Sequence, residues 1–408
     1  MTSRVAHVLR KYDPARWGGV ETHVAALTGA LSEGGWAPEV HAPLGPKTPD
    51  HALSVPLRRF RSCLPFLASS SRRRALAEVG GNLVSFDALR KLVFDRGLSL
   101  THVHTQRRIG GVARSAMRWT GRPYVVSVHG PLLSAQDFID EEDQRRRAKT
   151  IDLGKPFGAL VGSRRVIDDA SRVIVFNEAE RRAMERRVGD KVVKLDQGVD
   201  SGRMSGGSME AARRRWPAFA DRPVVLVLGR VGVQKNQSFA LEVLSRSSAS
   251  QTHLVFAGGE TDPGVREALI EKAARLGLSE RVHHLGNVEP THVPDLLAAT
   301  TVLLAPSRHE AFGLQVLEGW AAGCVALFAS VGGLGDLGAC LADPSCCLDG
   351  FDVDQWSAKL SELLSRPRRR RRHVEEGREL IRRRFDWKVV AERHAGLYRD
   401  VLREHRRW

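Results

Sequence analysis

A rhythm that runs twice along the chain narrows the fold more than any other feature. Short apolar strands alternate with helices as far as Leu195, pause, and alternate again from Val224. In the first run, Arg4 to Leu9 reads as a strand and Val20 to Glu33 as a helix, with a loop from Lys11 to Gly19 between them. A weak strand at Glu39 to Ala42 follows, then strands at Ser99 to His104, Tyr124 to His129, Arg172 to Phe176 and Val192 to Leu195. Helices are expected near Gly111 to Trp119 and over Glu178 to Arg187. The second run has strands at Val224 to Leu228, His253 to Ala257, Val282 to Leu285, Val302 to Ala305 and Val325 to Ser330, again with helices between them. Such alternation calls for parallel sheets with crossover helices. The Gly- and Ser-rich run Gln197 to Met209 reads as a linker. The expected organisation is α/β: a first doubly wound domain over residues 1–200, a second over 201–385, a ligand-binding cleft between them, and a closing amphipathic helix within 386–408.

With 408 residues the chain is long enough for two full cores, and 42% hydrophobic with 27% charged residues suits a soluble protein. No stretch approaches the ~18 apolar residues of a membrane span. The segment MTSRVAHVLRKYDP lacks an apolar signal-peptide region, so a cytoplasmic location is expected. Five cysteines without metal-binding spacing fit a reducing compartment. The net charge of +16 favours an acidic partner: nucleotide phosphates, anionic lipid or nucleic acid. Its arginines are spread along the chain, and runs such as Arg368 to Arg372 read as solvated faces. Without an aromatic-interleaved motif or a reading helix, nucleic acid is not an expected partner.

Two stretches carry chemistry. Gly229-Arg230 through Lys235 follows an apolar strand, so two cations emerge at the carboxyl edge of the second sheet, where they suit a pyrophosphate. Ala305 to Gly323 (APSRHEAFGLQVLEGWAAG) runs from a strand end into a helix. Free N–H groups near Gly313 and Leu314 can hold a phosphate. Glu310 precedes that helix and Glu318 lies more than a turn inside it, so the two carboxylates can accept from hydroxyls at two depths.

In order, these motifs resemble the retaining glycosyltransferases of family 4, which have the GT-B fold of two Rossmann-like domains facing across a cleft. The matching residues are Gly18-Gly19-Val20-Glu21, Val128-His129-Gly130, Gln197-Gly198-Val199-Asp200, Gly229-Arg230 through Lys235-Asn236, Val255 to Gly259, His284 to Val288, and Pro306-Ser307 through Glu310 to Glu318, an E-x7-E motif. The resemblance spans nearly the whole chain. It implies that Gly18 and Gly19 let the backbone approach the donor phosphates, and that His129 lies near the donor sugar. It also implies that Arg230 and Lys235 neutralise the departing diphosphate and that Glu310 binds sugar hydroxyls. Glu318 would bind the ribose, backbone at Asn287 and Val288 would border the base, and Phe312, Gly313 and Leu314 would complete the donor site. The terminal helix would cross back onto the first domain. The chain departs from the pattern at Gly323-Cys324-Val325, which lacks the usual proline, at Gln197, and at Cys346-Cys347-Leu348.

The implied reaction is metal-independent transfer, with retention, from a nucleotide-diphosphate sugar to an acceptor hydroxyl. UDP is the first expectation for the nucleotide and GDP the second. No cofactor is expected beyond the sugar nucleotide, and the acceptor could be a small molecule, a glycan or lipid-linked. Asp352-Val353-Asp354 mimics a metal motif but reads as a helix cap. His102 and His104, with no third ligand near in sequence, read as strand-end residues. Pro56 to Leu76 mixes arginines with Phe60, Leu64, Phe66 and Leu67, which raises peripheral contact with anionic membrane at its inner face. The rival functions are a sugar-nucleotide epimerase on the same fold, a basic nucleic-acid-binding protein, and a non-catalytic sugar-nucleotide sensor.

Overall fold

In the computed structural model, residues 3–13, 18–44, 53–67, 82–130, 151–220 and 222–406 are described. They form two compact units, Met1–Gly198 with Trp387–Trp408, and Val199–Asp386.

The first unit is built on seven strands: β1 (Arg4–Val8), β2 (Ala37–Pro43), β3 (Leu57–Phe60), β4 (Leu98–Val103), β5 (Tyr124–Ser127), β6 (Arg172–Val175) and β7 (Val192–Lys194). They lie in the order β3-β2-β1-β4-β5-β6-β7, and every neighbouring pair is parallel. The order reverses between β1 and β4, and open α/β sheets bind ligands outside the strand ends at such a reversal. Val5, Ala6, Leu100, Val125, Val126, Val173 and Ile174 are wholly buried. Near-continuous apolar strands are what a sheet covered by helices on both faces requires. Helix α1 (Gly19–Glu33) follows β1.

The second unit repeats the plan with β8 (Val224–Leu228), β9 (His253–Ala257), β10 (Val282–Gly286), β11 (Val302–Ala305), β12 (Val325–Ala329) and β13 (Cys347–Leu348), in the order β10-β9-β8-β11-β12-β13. All its pairs are parallel. Here the order reverses between β8 and β11. Helix α2 (Leu314–Ala322) follows β11. Its buried Trp320 packs edge-on to Phe328, with ring centroids 5.9 Å apart. Helix α3 (Trp387–His405) closes the chain and belongs to the first unit.

Three expectations change. The Gly- and Ser-rich run is not an open linker: Ser201–Ser205 and Met209–Arg215 are helices. Asp200 and Ser208 cap them, accepting from the N–H groups of Arg203 and Ala211. A polar side chain three residues before a free N–H offers a helix start that outweighs local glycine content. The arginine run Arg368 to Arg372, read from sequence as a solvated face beside a helix, lies within helix Pro367–Leu380 itself. Lastly, Leu57–Phe60 is a strand paired to β2 and Phe60 is in the core, so that aromatic cannot face a lipid surface. Residues 68–76 of the Pro56 to Leu76 stretch lie outside the described residues. Asp352 caps helix Val353–Ser365 by accepting from Gln355 N–H at 2.8 Å, as expected.

Candidate active site

In the second unit, the two chemical stretches leave the carboxyl ends of β8 and β11, the adjacent strands where the order reverses. Their loops are stitched together. Arg308 N–H donates to Gln234 O at 2.9 Å, and Gln234 Nε2 donates to His309 O at 3.0 Å. Lys235 Nζ donates to both carboxylate oxygens of Glu310, at 3.1 and 3.0 Å. Each partner is 13% exposed, so water screens the pair less than it would a surface pair. A glycine at position 229 makes room for this lysine: with φ at +137°, any Cβ there would stand 2.9 Å from Lys235 Cε. Arg230 is exposed and reaches Gln234 Oε1 at 3.5 Å.

The Glu310–Gly313 backbone rests on another. Gly333 N–H donates to Glu310 O at 2.9 Å. A Cβ on Gly332, whose φ is +49°, would come within 2.3 Å of Glu310 O, and one on Gly333 within 2.3 Å of Phe312 Cα. Gly313 is the N-cap of α2 in the left-handed region, at φ +100°. No side chain caps α2 there, and the uncapped first N–H groups of a helix are able to hold an anion. Phe312 is buried, edge-on to Phe385 with centroids 5.8 Å apart. Glu318 is half-buried on α2. Loss of water around its carboxyl pushes its pKa up to about 7, against the pull of Arg203 and Lys235. Asn287 and Val288 follow β10, and the Asn287 side chain crosses Gly259, where a Cβ would lie 2.4 Å from its Oδ1.

In the first unit, Gly18 and Gly19 are exposed at the start of α1, and Glu21 Oε2 accepts from Gly18 N–H at 3.0 Å. His129 stands just past β5, half-buried. Its Nε2 is 2.8 Å from His104 Nδ1, and His104 Nε2 is 3.1 Å from His7 Nδ1. Three rings thus form one chain leading inward from His129. His102 sits between Tyr398 Oη at 2.6 Å and Ser127 Oγ at 2.7 Å. His394 Nδ1–H donates to Val390 O at 2.9 Å. Burial lowers the pKa of all six rings: His7 and His129 to about 3, His394 to about 4, and His23, His102 and His104 well below the ordinary value. All are therefore neutral at physiological pH.

Spacing along the chain missed this cluster. His102 and His104 are not plain strand-end residues: with His7 they offer one nitrogen each within 4.8 Å of one another. His23, on α1, is fully enclosed, and Glu21 is also buried. The available signal was the H-x-H pattern at the carboxyl end of β4, whose two-residue step in extended chain puts both rings on one side. The rest depends on pairing, since β1 sets His7 opposite His102.

Two Rossmann-like units of parallel sheet are the architecture of the GT-B glycosyltransferases. The fold is similar to that of Anabaena HepE, crystallised with UDP and glucose, at a TM-score of 0.71 and 17% identity, covering 98% of this chain and 100% of that one. It is also similar to sucrose-phosphate synthase from Thermosynechococcus elongatus, at a TM-score of 0.74 and 20% identity, covering 98% and 100%. In sequence, residues 17–203 match the model of Glycosyltransferase Family 4 and residues 208–380 that of Glycosyl transferases group 1. The chain belongs to the family 4 glycosyltransferases. Curated relatives include D-inositol 3-phosphate glycosyltransferases. That of Rhodococcus opacus is 28% identical over 282 residues, 66% of this chain and 60% of the relative. That of Mycolicibacterium smegmatis is 30% identical over 224 residues, 53% and 50%. The matched part of the chain thus spans 50 to 60% of the length of these two relatives.

Proposed function

We propose that the chain transfers a sugar from a nucleotide-diphosphate donor, UDP-sugar first, to an acceptor hydroxyl, with retention and without a metal. The observation that carries this reading is the Lys235–Glu310 pair beside the N-terminus of α2, with Glu318 one turn further in. A diphosphate arriving there meets an ammonium and free N–H groups, and takes up part of the charge that Glu310 now balances. Glu310 is then released to accept from sugar hydroxyls, and Glu318 accepts from the ribose. Arg230, already exposed, adds a second cation.

The bond between the anomeric carbon and the diphosphate oxygen breaks, and the bonding pair leaves with the diphosphate. The acceptor oxygen attacks the same face, and its proton passes to the departing phosphate oxygen. No enzyme carboxylate needs to become covalently attached. Fixed cations and helix dipoles stabilise the leaving group in place of a metal. Gly18, Gly19 and His129 belong to this proposal through the family pattern, as do Asn287 and Val288 for the base.

The named acceptor of the curated relatives, D-inositol 3-phosphate, is the first to test here, followed by glycan and lipid-linked hydroxyls. No helix among the described residues is long and apolar enough to cross a membrane. Peripheral contact with anionic lipid through Pro56 to Leu76 remains in the proposal, with sedimentation on anionic liposomes as its check. The donor is tested by a thermal-shift panel of UDP-, GDP-, ADP- and dTDP-sugars, since a ligand at 100 times its Kd adds about 2.7 kcal/mol to the folded state. A shift with one nucleotide series, followed by product formed from it, supports the reading. Absence of any shift across the panel overturns the donor site.

A further inference from the structure

His23 poses a problem that the transfer reaction does not solve. Its ring is 1% exposed, on α1, and neither nitrogen has a hydrogen-bond partner among the described residues. A neutral imidazole always carries one N–H and one lone pair, so both are buried unmet, which is costly. The rings around it are His129, Phe176, Trp387, His104 and His394, at centroid distances of 5.0 to 6.0 Å. None of them satisfies it. Yet one nitrogen each of His23, His104 and His129 lies within 4.8 Å of the others.

We propose that His23, His104 and His129 bind one divalent transition-metal ion, with Zn2+ the natural occupant, through three imidazole nitrogens and a water. Bonds of ~2.0–2.1 Å to a tetrahedral ion set the nitrogens about 3.3–3.4 Å apart, so the 2.8 Å His104–His129 pair opens and the longer sides of the triangle close. The fourth position falls to water on the side of His129, the one ring of the three that is not buried. All three rings are neutral, the form with a lone pair to give.

The surroundings suit a metal as well as the triangle does. His104 Nδ1 and His129 Nε2 face each other at 2.8 Å, so these two atoms take the ion. The hydrogen of His104 then resides on Nε2, which donates to His7 Nδ1 at 3.1 Å. A ligating histidine held by an acceptor on its other nitrogen is the usual support of such a site. His129 keeps its hydrogen on Nδ1. The tautomers rearrange and no proton is lost. The neighbouring triangle of His7, His102 and His104 is the weaker choice, because both nitrogens of His102 are occupied by Tyr398 and Ser127.

Of the three ligands only His129 is shared with the donor site proposed above, and the ion takes no step in that reaction. The test is direct binding. Full-length protein is stripped with chelator and titrated with Co2+, then with Zn2+. The expected result is one Co2+ per chain, with the intense visible absorption of a tetrahedral site, displaced by one Zn2+. His23→Phe should weaken binding ~10–100-fold or more while circular dichroism stays unchanged. If that variant does not fold, His129→Ala, at a loop position, should weaken it similarly. His283→Ala removes one ring of the His253–His283 pair in the second unit, whose nitrogens are 2.8 Å apart. It should leave the titration as it was. Failure to form a one-to-one complex overturns the proposal, as does binding that survives both His23→Phe and His129→Ala or disappears with His283→Ala.

Discussion

Lys235 grips both carboxylate oxygens of Glu310, at 3.0 and 3.1 Å, across two loops that leave adjacent strands. The two groups satisfy each other, so the donor diphosphate of the proposed reaction would have to share the lysine with the carboxylate. In the proposed reaction this makes Lys235 a group whose partner changes as the diphosphate departs. Lys235→Met is expected to lower kcat/KM for the donor by ~10²–10³ and to leave Glu310 without its cation. Steady-state kinetics with varied donor measures it, and an unchanged kcat/KM refutes the assignment.

Glu310 and Glu318 should separate in kinetics. Glu310→Ala should depress kcat and blur discrimination among sugars. Glu318→Ala should mainly weaken nucleotide binding, by ~10–100-fold for a lost hydrogen bond to a charged group. Calorimetric titration with the free nucleotide distinguishes them: only Glu318→Ala should change that affinity appreciably.

The Glu318 carboxyl also makes stability depend on pH. Its folded pKa of about 7 stands above the unfolded value of ~4.3. Between these values the folded state binds more protons than the unfolded state, so stability falls as pH rises, and the whole penalty is present above pH 7. Glu318→Gln should therefore raise the melting temperature at pH 8 and leave it nearly unchanged near pH 4.5. Equal effects at both pH values would contradict this.

The histidine cluster of the first unit pulls the other way. With His7 and His129 held to about 3 and His394 to about 4, the unfolded chain binds protons below pH ~6.5 that the folded chain refuses. Stability is therefore lost as pH falls from 6.5 towards 4, by up to ~1.4 kcal/mol per pH unit for each ring. Denaturant titrations at pH 7, 6 and 5 should show this loss. His394→Phe, which removes one such ring, should reduce the slope.

Retention and metal independence share one assay. Excess chelator should leave the transfer rate within about twofold, and nuclear magnetic resonance of the product should show the donor's anomeric configuration. An inverted product would reject same-face attack.

The strand rhythm and the E-x7-E stretch were legible because each is local. Apolar runs such as Val224–Leu228 can be buried in only a few ways, and the eight-residue step from Glu310 to Glu318 spans one strand–helix junction. The histidine cluster was not legible. Its rings come from β1, α1, α3 and the carboxyl ends of β4 and β5, and strand order brings them together, not spacing. The supposed linker was misread because glycine count was weighed above Asp200 and Ser208, each set three residues before the N–H it caps. Leu57–Phe60 was hidden by its arginines. Arg59 turns back to donate to Tyr12 O and Pro43 O while Phe60 enters the core.

The contact of Gly332 and Gly333 with the Glu310–Phe312 backbone has a consequence for how donor preference can drift. Side chains in contact can trade size for size, but two bare backbones cannot. The seat of Glu310, the carboxylate proposed to bind the sugar, is therefore cast in main chain, and a mutation at either glycine meets backbone that no side-chain change can move aside. If the proposed donor site holds, variation in the sugar accepted has to come from the side chains around that seat, such as Ala311 and Leu314. A library of donor variants that spares Gly332 and Gly333 should keep its fold more often than one that does not.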